Sequence, residues 1–268
     1  MTILRPGDIG AEVRELQRLL AGCGFPAPDT SEYDTSTTAV VRAAQARFGL
    51  VVDGIAGPKT VQALRAGTRQ AGHLTAEDMR RAADALGVQE AAVLAVCEVE
   101  SNGNGFLPDG RPVIRFERHV MYRQLKAAKK DADACAARYP NIVNADTGGY
   151  VGKAGEYTRL AQASAIDRDS AFASASWGLF QIMGYHWERM GYPSVEAFVE
   201  AMRNGEGAQL DAFVRFVSSD PAMHKAFAGG KWATFASMYN GRDYRKNLYD
   251  VKLANAFARY QAEGREAA

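Results

Sequence analysis

Ala95-Val-Cys-Glu-Val-Glu-Ser-Asn-Gly103 closes an apolar helix on a carboxylate. Val93, Val96, Cys97 and Glu100 stand at i, i+3, i+4 and i+7, so they share one helical face. Glu98 lies roughly 200° around the helix from Glu100 and points elsewhere. Glu100 therefore ends an apolar stripe. Partial desolvation there and the negative end of the helix dipole both favour its protonated form. A carboxyl kept protonated near neutral pH is what proton donation to a glycosidic oxygen needs. On this segment alone, Glu100 also reads as an exposed helix-end carboxylate, the common setting for glutamate.

Residues 101–118 are glycine-rich and then extended, with a turn at Pro108-Asp-Gly110. Val113, Arg115 and Glu117 alternate with Ile114, Phe116 and Arg118, which predicts a strand. Glu117 is the candidate second carboxylate, placed to activate water or to face an oxocarbenium-like transition state. Its other reading is an ion pair with Arg115, Arg118 or His119. Helices are expected at about 76–86, 88–100, 119–139, 154–166, 177–190, 194–203, 207–218, 221–228, 231–239 and 248–262. Ala173-Ser-Ala-Ser-Trp-Gly-Leu-Phe-Gln-Ile-Met183 reads as a small-residue run opening into one of them. Ser237-Met-Tyr-Asn-Gly241 is an aromatic-amide-glycine end to another.

Toward the N-terminus, Val13, Leu16 and Leu20 keep helical spacing. Residues 37–48 form a second helix, with Val40, Val41, Ala44 and Phe48 inward, and a third begins at Pro58. Glycine-bearing turns separate them. This compact three-helix unit spans residues 1–67, a linker 68–75, and a second domain 76–268 whose first helix is capped by Thr75. Hydrophobic residues make up 47% of the 268, enough for a core without disulfides. A net charge of +1 argues against a nucleic-acid binder. Three cysteines without CxxC spacing read as buried thiols. The N-terminus carries no apolar signal segment and no stretch suits a membrane span, so synthesis as a soluble cytoplasmic chain is expected.

Glu-Ser-Asn-Gly (100–103), Ser-Trp-Gly-Leu-Phe-Gln-Ile-Met (176–183) and Met-Tyr-Asn-Gly (238–241) occur in that order. They resemble the three sequence blocks of the lysozyme-like superfamily, especially goose-type lysozymes and lytic transglycosylases. With Ile114-Arg-Phe-Glu-Arg-His119, the pattern over about 76–262 is similar to the N-acetylmuramidase domain of modular phage endolysins. The resemblance implies a mainly α chain: a three-helix peptidoglycan-binding bundle, then a lysozyme-like α+β catalytic domain with a small β-hairpin or sheet. It implies Glu100 as the acid, Ser176, Gly178 and Gln181 as a glycan-cleft block, and Tyr239 and Asn240 facing the acid. Trp177 reads either as core or as a sugar-stacking platform. No cofactor or metal is implied.

The first segment resembles the common three-helix peptidoglycan-binding module. Gly7, Gly10, Val13, Leu16-Gln17, Leu20, Tyr33-Asp34, Gln45, Phe48-Gly-Leu50 and Asp53-Gly-Ile-Ala-Gly57 carry the match. Tyr33, Asp53, Gly54 and Ile55 are its candidate ligand contacts. A wall-binding module ahead of a hydrolase raises local enzyme concentration on an insoluble polymer. The order resembles endolysins of phages of Gram-negative hosts, which implies action on the periplasmic wall after the inner membrane is permeabilised. The expected reaction is hydrolysis of the N-acetylmuramic acid to N-acetylglucosamine bond by a monomer, with retention or inversion left open. Lytic transglycosylation and a non-catalytic wall-binding phage component are the alternatives.

A zinc amidase finds no ligand spacing among His73, His119, His186 and His224, and a cysteine peptidase would need Cys97 out of the core. The last helix is expected to turn Leu248, Val251, Leu253, Phe257 and Tyr260 inward. Arg245, Lys246, Lys252 and Arg259 surround it, for packing or for weak contact with an anionic outer envelope.

Overall fold

A computed structural model describes residues 3–100 and 104–266, with the backbone alone for Glu100, Arg242, Asp243 and 263–266. The chain divides into two compact units, residues 1–98 with 251–268, and residues 99–250.

The first unit opens with α1 (Ala11–Gly22), α2 (Thr35–Arg47) and α3 (Pro58–Ala66). Val13, Leu16, Leu20, Val41, Ala44 and Leu64 bury together with Leu4, Phe25, Tyr33 and Ala56. Two buried glutamines replace water for the loops around this core. Gln17 donates to Thr30 Oγ1, the Glu32 carbonyl and Thr37 Oγ1, and accepts from the Thr30 and Ser31 amides. Gln45 donates to Asp53 Oδ1, the Ile55 carbonyl and Thr60 Oγ1, and accepts from the Gly54 amide. Removing either would strand several buried polar groups.

α4 (Ala76–Leu86) starts at a capping box in which Thr75 and Asp78 bond reciprocally, and Gly87 ends it in the left-handed conformation. α5 (Glu90–Glu100) follows. Val93, Val96 and Cys97 are buried on one face, as their spacing predicts. Cys23 and Cys135 are only half-buried, against the expectation of buried thiols, and all three cysteines are free.

The second unit carries β1 (Ile114–Phe116), α6 (Arg118–Ala127), α7 (Ala132–Arg138), α8 (Gly155–Ile166), α9 (Arg168–Ala173), β2 (Ala175–Trp177) and β3 (Ile182–Met183). Then come α10 (Val195–Arg203), α11 (Glu206–Ser218), α12 (Pro221–Ala228) and α13 (Trp232–Tyr239). α14 (Tyr249–Glu266) ends the described chain and belongs mostly to the first unit. The strands form one antiparallel sheet in the order β1-β2-β3, with Ile114 opposite Trp177 and Ser176 opposite Met183. No helix among the described residues is long and apolar enough to cross a membrane.

Three expectations about the helices are corrected as well. The helix expected over 177–190 is a β-hairpin and a 3-10 turn. Gly178 (φ +71°) and Gln181 (φ +49°) take left-handed conformations that a helix excludes. The helix expected over 119–139 is two helices, broken where Lys129 turns left-handed (φ +57°) and Asp131 caps α7 at the Ala134 amide. Leu248 and Val251 face outward, 55% and 47% exposed, while Leu253, Ala256 and Tyr260 form the buried side of α14.

Candidate active site

The sheet positions Glu117 at the end of β1. Ile114 and Phe116 point into the core, and Arg115 and Glu117 take the other side. The edge of β1 away from β2 is closed by α8. Buried Glu156 accepts from the Phe116 amide at 3.1 Å, and Arg159 donates to the Phe116 carbonyl at 2.8 Å. The two side chains pair at 2.8 Å and are almost fully buried. Glu156 Oε1 also accepts from the amides of Val151 (2.7 Å) and Gly152 (2.8 Å). Burial pushes the Glu156 carboxyl up, but the Gly152, Val151 and Phe116 amides and the Arg159 guanidinium outweigh it, holding the group below the usual glutamate range.

One carboxylate therefore fixes both the strand of Glu117 and the loop that follows Asn144. Arg118 fastens the same loop, donating to the carbonyls of Asp146 and Thr147. Gly148 and Gly149 (φ +103° and +74°) let that backbone lie close against Arg118 and Arg159. The loop presents Tyr150, whose hydroxyl donates to Glu117 Oε2 at 2.8 Å. His119 Nδ1 lies 3.3 Å from the same oxygen but without hydrogen-bond geometry. Glu117 Oε1 has no hydrogen-bond partner among the described residues. Burial and the Glu117 carboxylate raise the Tyr150 phenol above its ordinary value, so it remains a donor at neutral pH.

The β2–β3 hairpin is a second polar cluster. Ser176 Oγ donates to Gln181 Oε1 at 2.9 Å, and Gln181 Nε2 donates to the Gly178 carbonyl at 2.8 Å and the Val113 carbonyl at 3.3 Å. Gly178 leaves room for Gln209 of α11, whose Oε1 accepts from the Leu179 amide at 2.7 Å. Glu206, one turn earlier, accepts from the Gly105 amide at 2.9 Å. α11 thus holds the hairpin tip and the start of the segment leading into β1.

Tyr239 is half-buried and donates to the Phe180 carbonyl at 2.8 Å. Its ring packs on Phe213, Phe216 and Phe235. Asn240, next along, ends α13. Trp177 is 1% exposed, edge-on to Phe172, with its ring nitrogen donating to the Phe172 carbonyl. That is the core setting, and a stacking platform needs an open ring face. The backbone of Glu100 ends α5, its side chain lies outside the described residues, and so do Ser101, Asn102 and Gly103. Glu98 is held by Arg5 at 2.8 Å, by Tyr260 at 2.7 Å and by Arg259.

In the first unit, Tyr33 is 1% exposed and donates to the Gly54 carbonyl at 2.8 Å. Gly54 and Ile55 are also buried. These three hold the turn together and offer little surface to a ligand. Asp53 is half-buried, and its Oδ1 accepts from Gln45 and from the Ile55 amide. Burial pushes its carboxyl up to about 6, against those two hydrogen bonds.

Sequence reasoning missed Tyr150, Glu156, Arg159, Glu206 and Gln209. Four of them carried a signal. Glu156, Arg159, Leu160 and Ala163 stand at i, i+3, i+4 and i+7, as do Glu206, Gln209, Leu210 and Phe213. Polar groups set into an apolar stripe must have buried partners.

Residues 89–261 match the family model for N-acetylmuramidase, and residues 9–64 match a putative peptidoglycan binding domain. The crystal structure of Burkholderia AP3 phage endolysin superposes with a TM-score of 0.93 at 56% identity, covering 97% of this chain and 100% of that one. N-acetylmuramoyl-L-alanine amidase CwlL of Bacillus licheniformis is 41% identical over 68 residues, 24% of this chain. The match spans only 19% of that amidase, a fraction too small to bring its activity across. The muramidase match covers most of the chain, including the sheet, the hairpin and α11, and this protein belongs to the N-acetylmuramidase family, with a peptidoglycan-binding domain ahead of the enzyme.

Proposed function

We propose that this chain is an endolysin that hydrolyses the β-1,4 bond between N-acetylmuramic acid and N-acetylglucosamine, with Glu100 as the general acid. Glu117 activates the water or stabilises the oxocarbenium-like transition state. The observation that carries this reading is the one-sided hold on Glu117. Oε2 is engaged by Tyr150 and flanked by His119, while Oε1 is left for water or sugar. The family match over 89–261 and the similarity to a phage endolysin along the whole chain support it.

Ser176 and Gln181 hold the hairpin that borders the glycan, Gly178 admits Gln209 beneath it, and Tyr239 with Asn240 forms the facing wall. Residues 1–67 tether the enzyme to the wall, residues 68–75 link, and 76–268 carry catalysis. The protein acts as a monomer on periplasmic peptidoglycan after the inner membrane is permeabilised. Exposed Leu248 and Val251 beside Arg245, Lys246 and Lys252 support weak contact with an anionic envelope. Replacing the three basic residues by Ser should then slow lysis of intact cells and spare digestion of purified wall. Equal loss in both assays refutes that contact.

Glu100→Gln and Glu117→Gln, assayed by release of reducing ends from purified peptidoglycan, test the catalytic assignment. Each should lower the rate by about 100-fold or more, the scale of general acid–base catalysis. A Glu100→Gln protein with full activity would overturn it.

A further inference from the structure

We infer that Tyr150 is the positioning residue for Glu117, and that the Glu156–Arg159 pair clamps the loop of Tyr150 to the strand of Glu117. The inference rests on the reading of Glu117 given above. A carboxylate at the end of a three-residue strand has free side-chain torsions unless something holds it. Its neighbours in sequence do not: Arg118 is spent on loop carbonyls, and Arg115 lies over the Tyr150 ring, 5.3 Å from its centroid. His119 is near but misaligned. The Tyr150 hydroxyl supplies the hydrogen bond.

That bond fixes an orientation only if both ends are themselves fixed. Tyr150 is 33 residues from Glu117 in sequence, on a loop that is otherwise exposed. Glu156 removes this freedom. Its two oxygens accept from Val151 and Gly152, directly after Tyr150, and from Phe116, directly before Glu117. The loop and the strand therefore share one buried anchor, itself held by Arg159, which also bonds the Phe116 carbonyl. Tyr150 is 48% exposed, so its bond to Glu117 serves the site and adds little to the core. With Oε2 occupied by Tyr150, Oε1 is the oxygen left for reaction.

The test is Tyr150→Phe, which keeps the ring under Arg115 and removes only the hydroxyl. It is compared with wild type, Glu117→Gln and the double variant on a soluble glycan of alternating N-acetylglucosamine and N-acetylmuramic acid. The expected result is a fall in kcat of about tenfold, the scale of one hydrogen bond to a charged group, with KM and melting temperature unchanged. In the Glu117→Gln background the same change should cost less than twofold. An unchanged kcat, or a raised KM with kcat intact, overturns the inference, the latter because it makes Tyr150 a sugar contact. Full activity in Glu117→Gln alone would remove the reading beneath it, and that outcome is visible before Tyr150 is touched.

Discussion

Replacing Glu156 by Gln exchanges one oxygen for an amide and removes one charge, with almost no change in volume. The wild-type carboxylate receives four donors: the Val151 and Gly152 amides on Oε1, and the Phe116 amide and Arg159 on Oε2. Whichever way the glutamine side chain settles, its NH2 group meets two donors, and Arg159 is left as a buried charge without its carboxylate. Breaking such a pair from one side costs about 3–5 kcal/mol. For a unit of this size that lowers the melting temperature by about 10 °C.

The acid dependence has a fixed sign. The carboxyl of Glu156 is held below its ordinary value, so its contribution is complete above the unfolded value of about 4.3 and is lost as pH falls through the folded value. The gap between wild type and Glu156→Gln should therefore be full at pH 7 and should narrow as pH falls below the unfolded value of about 4.3. Thermal unfolding followed by far-ultraviolet circular dichroism at several pH values measures this. A variant within about 1 kcal/mol of wild type at pH 7 would refute the clamp, as would a gap that stays constant into acid.

Two further predictions concern the hairpin and the binding module. Gly178→Ala would put a Cβ 2.6 Å from Gln209 Cδ at a residue with φ +71°. Left-handed strain and overpacking together should cost about 3 kcal/mol in urea unfolding, and a neutral result would mean that Gln209 is not fixed there. Asp53 has a folded value of about 6, above its unfolded value near 3.9, so the folded protein takes up a proton that the unfolded chain does not. Stability should fall as pH rises from about 4 through 6. Asp53→Asn should flatten that slope and add up to about 2 kcal/mol at pH 7, solvent access reducing the full effect. An unchanged slope in the variant would count against a strained Asp53.

The three helices of the binding module were legible because one apolar face per helix fills one small core. Val13, Leu16, Leu20, Val41 and Leu64 are all buried. Glu117 was legible as the outward end of a short strand for the same local reason. The hairpin was not. Ala175, Ser176 and Trp177 are buried on both faces, and a short apolar run buried all round has no period to read. Leu248 and Val251 misled in the opposite sense, since hydrophobic residues at helical spacing need not face inward at a helix end. The holders of the site were hidden by distance. Tyr150, Glu156 and Arg159 meet residues 33, 40 and 43 positions away. No local pattern encodes such pairings, although the placement of Glu156 and Gln209 within apolar stripes announces that partners exist.

In the proposed reaction, water cleaves the muramic acid bond with Glu100 as its acid. It is tested most directly by mass spectrometry of purified peptidoglycan digested by wild type and by Glu100→Gln. Saccharides with reducing muramic acid ends are expected from wild type and none from the variant. Ends of the 1,6-anhydro kind would contradict hydrolysis, and reducing ends of equal abundance from Glu100→Gln would contradict the assignment of the acid.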